Sequence, residues 1–200
     1  MDQIENGLKI KETYMDLVNN IKDFKDGLCL EKIIERKSYI VIGEMEDYNL
    51  IDSLIEIARK KIDNNLALTN VKAKRTSFKS LVYEKKFTDF LNKIKPSIQK
   101  IFKEDFIISD VWANFYSEPK KDYCEMHHHN GNTAFCGVLY CTDGPGPGTY
   151  FKDFDLNILE KKGRFILFDP ILFHEVKPYP YKKERITIAF NFNEIKKWDH

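Results

Sequence analysis

From Asp105 onward the apolar residues stop recurring at helical spacing and fall into short β-branched and aromatic runs, at 107–116, 134–141, 165–168 and 186–192. Turn-forming residues separate these runs, so the C-terminal half predicts an antiparallel β-barrel or sandwich. The last run is the most informative. Ile186, Ile188, Phe190 and Phe192 share one face of a strand, while Arg185, Thr187, Ala189 and Asn191 share the other. The apolar face is expected to pack on helices. Small and polar residues on the opposite face suit a barrel interior that holds a ligand. A guanidinium buried there needs an anion, which makes Arg185 a candidate carboxylate clamp. Gly144-Pro145-Gly146-Pro147-Gly148 fits neither a helix nor a central strand and predicts a wide connection, and Gly163 predicts a turn.

The first hundred residues read as helical. Tyr14, Leu17, Ile21 and Phe24 recur at helical spacing, as do Ile51, Leu54, Ile55, Ala58 and Ile62, with Asp47 or Asn49 as a cap. A third stripe carries Phe87, Phe90, Leu91, Ile94, Ile98, Ile101 and Phe102, and Pro96 should kink or divide it. Between these, 38–42 is β-rich and is read as an added strand ended by Gly43. The basic run 71–77 is either a solvated connection or the mouth of a site for an acidic substrate. The resulting expectation is one domain over 1–200, with 1–104 a mainly helical support and 105–195 the β core. A chain of 200 residues with 42% apolar and 32% charged residues can bury one good core. Lys plus Arg, 32, nearly balance Asp plus Glu, 31, so no net field draws it to nucleic acid or an anionic membrane.

Three consecutive histidines, His127, His128 and His129, precede one β-run, and His174 precedes the last one. On a strand His127 and His129 point one way and His128 the other, so two ligands come from one strand and His174 supplies a third. Cys29, Cys124, Cys136 and Cys141 lack a C-x-x-C spacing, and no signal peptide is visible. Reduced cysteines in a cytoplasmic protein are therefore expected, with structural zinc the weaker reading. Asp169-Pro170 is expected to shape the turn into His174. Trp112 and Phe135 are expected to be packing residues.

In this order the motifs resemble the Fe(II)/2-oxoglutarate-dependent oxygenases over roughly residues 112–193. The resemblance implies an α+β fold, a double-stranded β-helix (jelly-roll, cupin-like) barrel with N-terminal supporting helices. It also implies Fe(II) and 2-oxoglutarate as cofactors and molecular oxygen as the oxidant. His127 matches the first metal ligand, His174 the distal ligand, and Arg185 the residue that grips the far carboxylate of 2-oxoglutarate. Asn114 and Tyr116 resemble an Asn-x-Tyr pair that binds the same co-substrate, with Tyr140 and Thr187 as further candidates. The chain departs from the pattern at the second ligand, where His129 stands in place of Asp or Glu, as in a bacterial and phage-type branch. Glu125 or Asp153 is the alternative carboxylate. The implied activity is hydroxylation of an unidentified substrate, with decarboxylation of 2-oxoglutarate to succinate. The competing readings are a cupin-like three-histidine enzyme that uses no 2-oxo acid, such as a thiol dioxygenase, and a non-catalytic binding barrel. The segments 71–82 and 141–150 are expected to form the rim.

Overall fold

The computed structural model describes residues 9–15, 36–66, 69–101, 106–129, 131, 133–144, 146–178 and 182–194. Two antiparallel sheets face each other. The larger joins β1 (Lys9–Met15), β2 (Arg36–Glu44), β10 (Arg164–Phe168), β7 (Thr133–Tyr140), β12 (Arg185–Glu194), β5 (Phe106–Tyr116) and β4 (Lys74–Arg75), in that spatial order. The smaller joins β3 (Val71–Lys72), β6 (Tyr123–His127), β11 (His174–Val176), β8 (Pro147–Phe151) and β9 (Leu156–Leu159). From β5 to β8 and again from β9 to β12, chain-adjacent strands alternate between the sheets, as in a double-stranded β-helix.

The alternation read in β12 decides which side is core. Ile186, Ile188, Phe190 and Phe192 form one buried cluster with Leu50, Ile51, Leu54 and Ala58 of α1 (Tyr48–Arg59) and Phe87, Phe90 and Ile94 of α2 (Lys85–Ile101). Phe190 meets both Phe87 and Phe90 edge-on, at 5.5 and 5.8 Å between ring centroids. The helices thus cover the outer face of the larger sheet and leave its inner face to the cavity. Asp47 caps α1 by accepting from the Leu50 N–H at 3.1 Å, and Lys93 of α2 lies 3.2 Å from the same carboxylate.

Phe190 needs a neighbour with no side chain. A Cβ on Gly137 of β7 would lie 2.1 Å from Cε2 of Phe190. The ring is held by Phe87 and Phe90 and has nowhere to move. Gly137→Ala is expected to cost about 1–3 kcal/mol, as overpacking does in a filled core, and to lower the thermal unfolding midpoint accordingly.

Several expectations for the N-terminal half are corrected. Among the described residues it holds four strands beside its two helices, and β1 to β4 extend both sheets. Tyr14 lies on β1, paired with Lys37, and Leu17, Ile21 and Phe24 lie outside the described residues. The added strand at 38–42 is present as β2 and runs on through Gly43 to pair with β10. Helix α2 is continuous through Pro96. That proline is exposed, so the backbone bond it cannot make is lost on the water side. The glycine-proline stretch is a shorter connection than expected, because Pro147 and Gly148 already belong to β8. A side chain at Gly148 would collide with the Ile158 carbonyl and the Tyr140 hydroxyl. Gly163 does form a turn, at φ +86°. No described helix is long and apolar enough to cross a membrane.

Candidate metal centre and co-substrate cavity

Between the sheets lies a cavity of about 440 Å³, lined on one side by β5, β7 and β12 and on the other by β6, β8 and β11. Three imidazoles converge in it. His127 ends β6 and His174 begins β11, and the antiparallel register sets them directly opposite each other, with ring centroids 4.2 Å apart. His129 lies past the end of β6. Its backbone N–H donates to the Pro170 carbonyl at 2.7 Å, and its ring stacks on His174 at 5.3 Å. One ligand atom from each of the three lies within 4.8 Å of the others.

The convergence expected from strand alternation therefore has a different cause. The ladder stops at His127, and His129 is brought round by the turn at Asp169-Pro170. That turn is tied by the Leu172 N–H donating to the Asp169 carbonyl and the Ile171 N–H to its side chain, both at 3.1 Å. His128, expected to face away, also lines the cavity, with its ring 4.7 Å from Phe173, but it is not in the convergent group.

Backbone carbonyls fix two of the tautomers. Nδ1 of His127 lies 2.8 Å from the Glu125 carbonyl, and Nδ1 of His174 lies 2.9 Å from the Leu172 carbonyl. A carbonyl only accepts, so each Nδ1 carries the proton and each Nε2 keeps its lone pair for a metal. Burial holds all three rings neutral. It lowers the proton affinity of His127, drives His129 down to about 4, and drives His174 far below the ordinary imidazole value, with mutual repulsion adding to the effect. A closely spaced set of neutral nitrogen donors suits a divalent transition metal.

These shifts carry a stability consequence. As pH falls through about 6.5, the unfolded chain takes up protons on these histidines while the folded chain does not. The metal-free protein is expected to lose stability progressively from about pH 6.5 down toward about pH 4. Thermal unfolding of metal-free protein across that range checks the slope, and His129→Gln should flatten it.

The two carboxylate alternatives lie outside the cluster. The Glu125 side chain is 49% exposed and pairs with Lys72 at 3.3 Å, and only its backbone carbonyl reaches His127. Asp153 sits in the short 3-10 turn 152–154 and accepts the Phe173 N–H at 2.8 Å, away from the cavity. Among the described residues no cysteine belongs to the convergent group. Cys124 approaches Nδ1 of His127 at 3.7 Å, but that nitrogen is the protonated one, and burial pushes the thiol up to about 12. Cys124, Cys136 and Cys141 are buried and free, and Cys29 lies outside the described residues.

Arg185, opposite Tyr116 in the β12–β5 ladder, lines the cavity and is 1% exposed. Its Nη1 donates to the Pro147 carbonyl at 3.3 Å, while Nε and Nη2 are buried with no acceptor. The guanidinium lies over the rings of Tyr116 and Tyr140, 5.2 and 5.7 Å from their centroids. Asn114 and Thr187 pair across β5 and β12, and the Asn114 amide donates to the Thr187 hydroxyl at 3.4 Å. This leaves Oδ1 of Asn114 buried and unpaired. Tyr116 lines the cavity too, its phenol held protonated by burial. Tyr140 stands apart from this set. Its hydroxyl donates to Oγ1 of Thr149 at 2.8 Å and accepts the Thr149 N–H at 3.0 Å, so it braces β8 and does not line the cavity.

Sequence reasoning missed Glu160. Its carboxylate is buried, accepts from the Thr142 hydroxyl at 2.6 Å, and places Oε2 3.9 Å from Nε of Arg185. Burial raises its proton affinity despite the nearby cation. A glutamate before Lys161-Lys162-Gly163 looks like an ordinary solvated turn residue, and no spacing marks it. The basic run is also corrected as a mouth for an acidic substrate. Lys72 and Lys74 do not line the cavity, and Arg75 is buried over Phe78. Of the two rim segments, Val71, Phe78 and Thr149 do line it.

No protein-family profile and no curated protein matches the chain. Solved structures do. The viral collagen prolyl hydroxylase of Paramecium bursaria Chlorella virus-1, in complex with 2-oxoglutarate, is 18% identical over 77% of this chain and 96% of its own, with a TM-score of 0.57. The α-ketoglutarate-dependent epimerase SnoN from nogalamycin biosynthesis is 10% identical over 78% of this chain and 77% of its own, at 0.62. HygX from Streptomyces hygroscopicus, holding nickel and 2-oxoglutarate, is 9% identical over 78% and 82%, at 0.58. The fold is that of the 2-oxoglutarate-dependent oxygenases. The chain thus has the double-stranded β-helix with supporting helices that its motif order implies.

Proposed function

We propose that this chain is an Fe(II)- and 2-oxoglutarate-dependent oxygenase that oxidises a substrate while 2-oxoglutarate is decarboxylated to succinate. The observation that carries the reading is the pairing, in one cavity, of three convergent neutral imidazoles with a buried guanidinium that has two unpartnered N–H groups. Among the described residues Glu160 is the one anion beside it, 3.9 Å from Nε and out of hydrogen-bond reach, so the buried N–H groups still call for an acceptor. A dicarboxylate that chelates a metal through its 2-oxo acid end can place its other carboxylate on Arg185. A three-histidine enzyme that takes no 2-oxo acid would use Arg185 only to balance Glu160 and would leave its Nη2 without an acceptor.

In this reading His127, His129 and His174 hold the iron. The metal, when bound, supplies the redox chemistry that couples loss of carbon dioxide to substrate oxidation. The protein's own part is placement. Arg185 takes the far carboxylate, with Asn114, Thr187 and Tyr116 as neutral partners along it. Val138, Phe168 and Ala189 keep the cavity wall apolar, which limits bulk water and strengthens each polar contact inside. The free, buried cysteines suit a reducing cytoplasm.

The deciding test is anaerobic visible spectroscopy. Adding Fe(II) and then 2-oxoglutarate should produce a weak charge-transfer band that neither produces alone. Iron that demonstrably binds and yet gives no band with 2-oxoglutarate refutes the reading.

A further inference from the structure

Strand β5 turns Asp110, Trp112, Asn114 and Tyr116 into the cavity. Across the ladder Tyr116 faces Arg185 at one end, and Asp110 faces Asn191 at the other. Six residues of extended chain separate the ends, about 20 Å. That is far longer than 2-oxoglutarate, so the Asp110 end is left for the substrate.

The chemistry of that end is distinctive. The Asp110 carboxylate accepts from the Ser109 hydroxyl at 2.8 Å and forms no ion pair among the described residues. No lysine lines the cavity among the described residues, and the one arginine there is Arg185, at the opposite end. Glu175, the other acid in the wall, has Lys177 at 3.8 Å. Beside Asp110, Trp112 meets Phe78 edge to face at 5.1 Å. Trp112 is 7% exposed, and its indole N–H is buried without an acceptor. A buried donor left unmade carries a desolvation cost that a ligand's acceptor removes. One face of Phe78 is already covered by Arg75 at 4.5 Å, so the indole of Trp112 is the ring left for a ligand, and a carboxylate with no lysine or arginine partner beside it binds a cation through that ring and a charge-assisted hydrogen bond together.

We propose that the substrate of this cavity carries a positively charged amine or guanidinium, held by Asp110 beside Trp112 and Phe78, with an acceptor on the substrate meeting the indole N–H. This rests on the oxygenase reading for the chemistry at the metal, while the cation site stands on its own geometry. An ammonium or guanidinium pairs with the carboxylate, and a carbonyl or hydroxyl nearby in the same molecule satisfies Trp112. Anionic substrates are disfavoured at Asp110, whose carboxylate lines the cavity while Arg75 lies behind the Phe78 ring.

The test is isothermal titration of metal-free and zinc-loaded protein, without 2-oxoglutarate. The probes are putrescine, agmatine and the methylamides of Nα-acetyl-lysine and Nα-acetyl-arginine, against the neutral Nε-acetyl-lysine and citrulline counterparts. At least one cation should bind about tenfold or more tightly than its neutral counterpart, as one charged hydrogen bond implies. The preference should weaken with added salt and vanish in Asp110→Asn. Asp110→Ser serves as a second variant should the first fold poorly. Equal binding of cations and neutral counterparts, or a preference that survives in Asp110→Asn, overturns the proposal. The charge-transfer band recorded on the same preparations keeps the two readings apart. A band that persists in Asp110→Asn while the cation preference is lost supports both. A missing band in wild-type protein sinks the oxygenase reading and leaves a measured cation preference standing.

Discussion

His174→Ala is expected to weaken binding of a divalent transition metal by more than about 100-fold, since losing even a residue that only orients a ligand costs about 10–100-fold. The charge-transfer band and turnover should go with it. The reason lies in the donor set. The three imidazoles are neutral, so no carboxylate charge remains to hold the ion once one nitrogen is removed. His174 is also the most buried of the three, and its Nδ1–H is fixed on the Leu172 carbonyl, so it is the ligand with the least freedom to be replaced by a swinging neighbour. His129→Asp should behave differently. A carboxylate there completes a two-histidine, one-carboxylate set, and metal binding is expected to persist. Glu125→Ala should change nothing, because its side chain faces Lys72 and water. Anaerobic titration of Fe(II) or Mn(II) into the three variants checks all of this. A Glu125→Ala variant as impaired as His174→Ala would show that the cluster is not the metal site.

How much of this was legible beforehand differs from element to element. The β12 alternation was enough to assign its two faces, because a two-residue period with one apolar face leaves a single way to pack. From that followed the helix-covered sheet and the inward Arg185. The histidine cluster was legible for a partly mistaken reason. His129 reaches the site through the turn at Pro170, which strand periodicity does not encode. Of the N-terminal strands, β2 was legible as the run 38–42, while β3 and β4 are only two residues each, too short for any period to show. Glu160 and Asp110 were invisible for a common reason. Each is a single charged residue whose role depends on what other strands bring beside it, and that placement exists only after folding. Tyr140 differs again, since it stands beside Thr187 in the β7–β12 register while its hydroxyl is held by Thr149.

Arg185→Gln is expected to raise the dissociation constant for 2-oxoglutarate by about 30-fold or more, since truncating one partner of a buried charge pair costs about 2–5 kcal/mol. Metal binding should be untouched, because Arg185 and the imidazoles sit at separate places in the cavity. The same substitution also leaves Glu160 buried without its cation, so a loss of stability alone could mimic a loss of binding. Glu160→Gln in combination with Arg185→Gln removes that ambiguity. The double variant carries two neutral amides side by side and should recover thermal stability relative to Arg185→Gln, while 2-oxoglutarate binding stays lost. Arg185→Lys should also bind poorly, because a lysine offers one point charge where the guanidinium reaches the Pro147 carbonyl and the vicinity of Glu160 and still keeps Nη2 for the ligand. Titration of 2-oxoglutarate into the iron-loaded variants, with unfolding midpoints measured alongside, separates these outcomes. Recovery of 2-oxoglutarate binding in the double variant would mean that Arg185 neutralises Glu160 and has no part in holding the co-substrate.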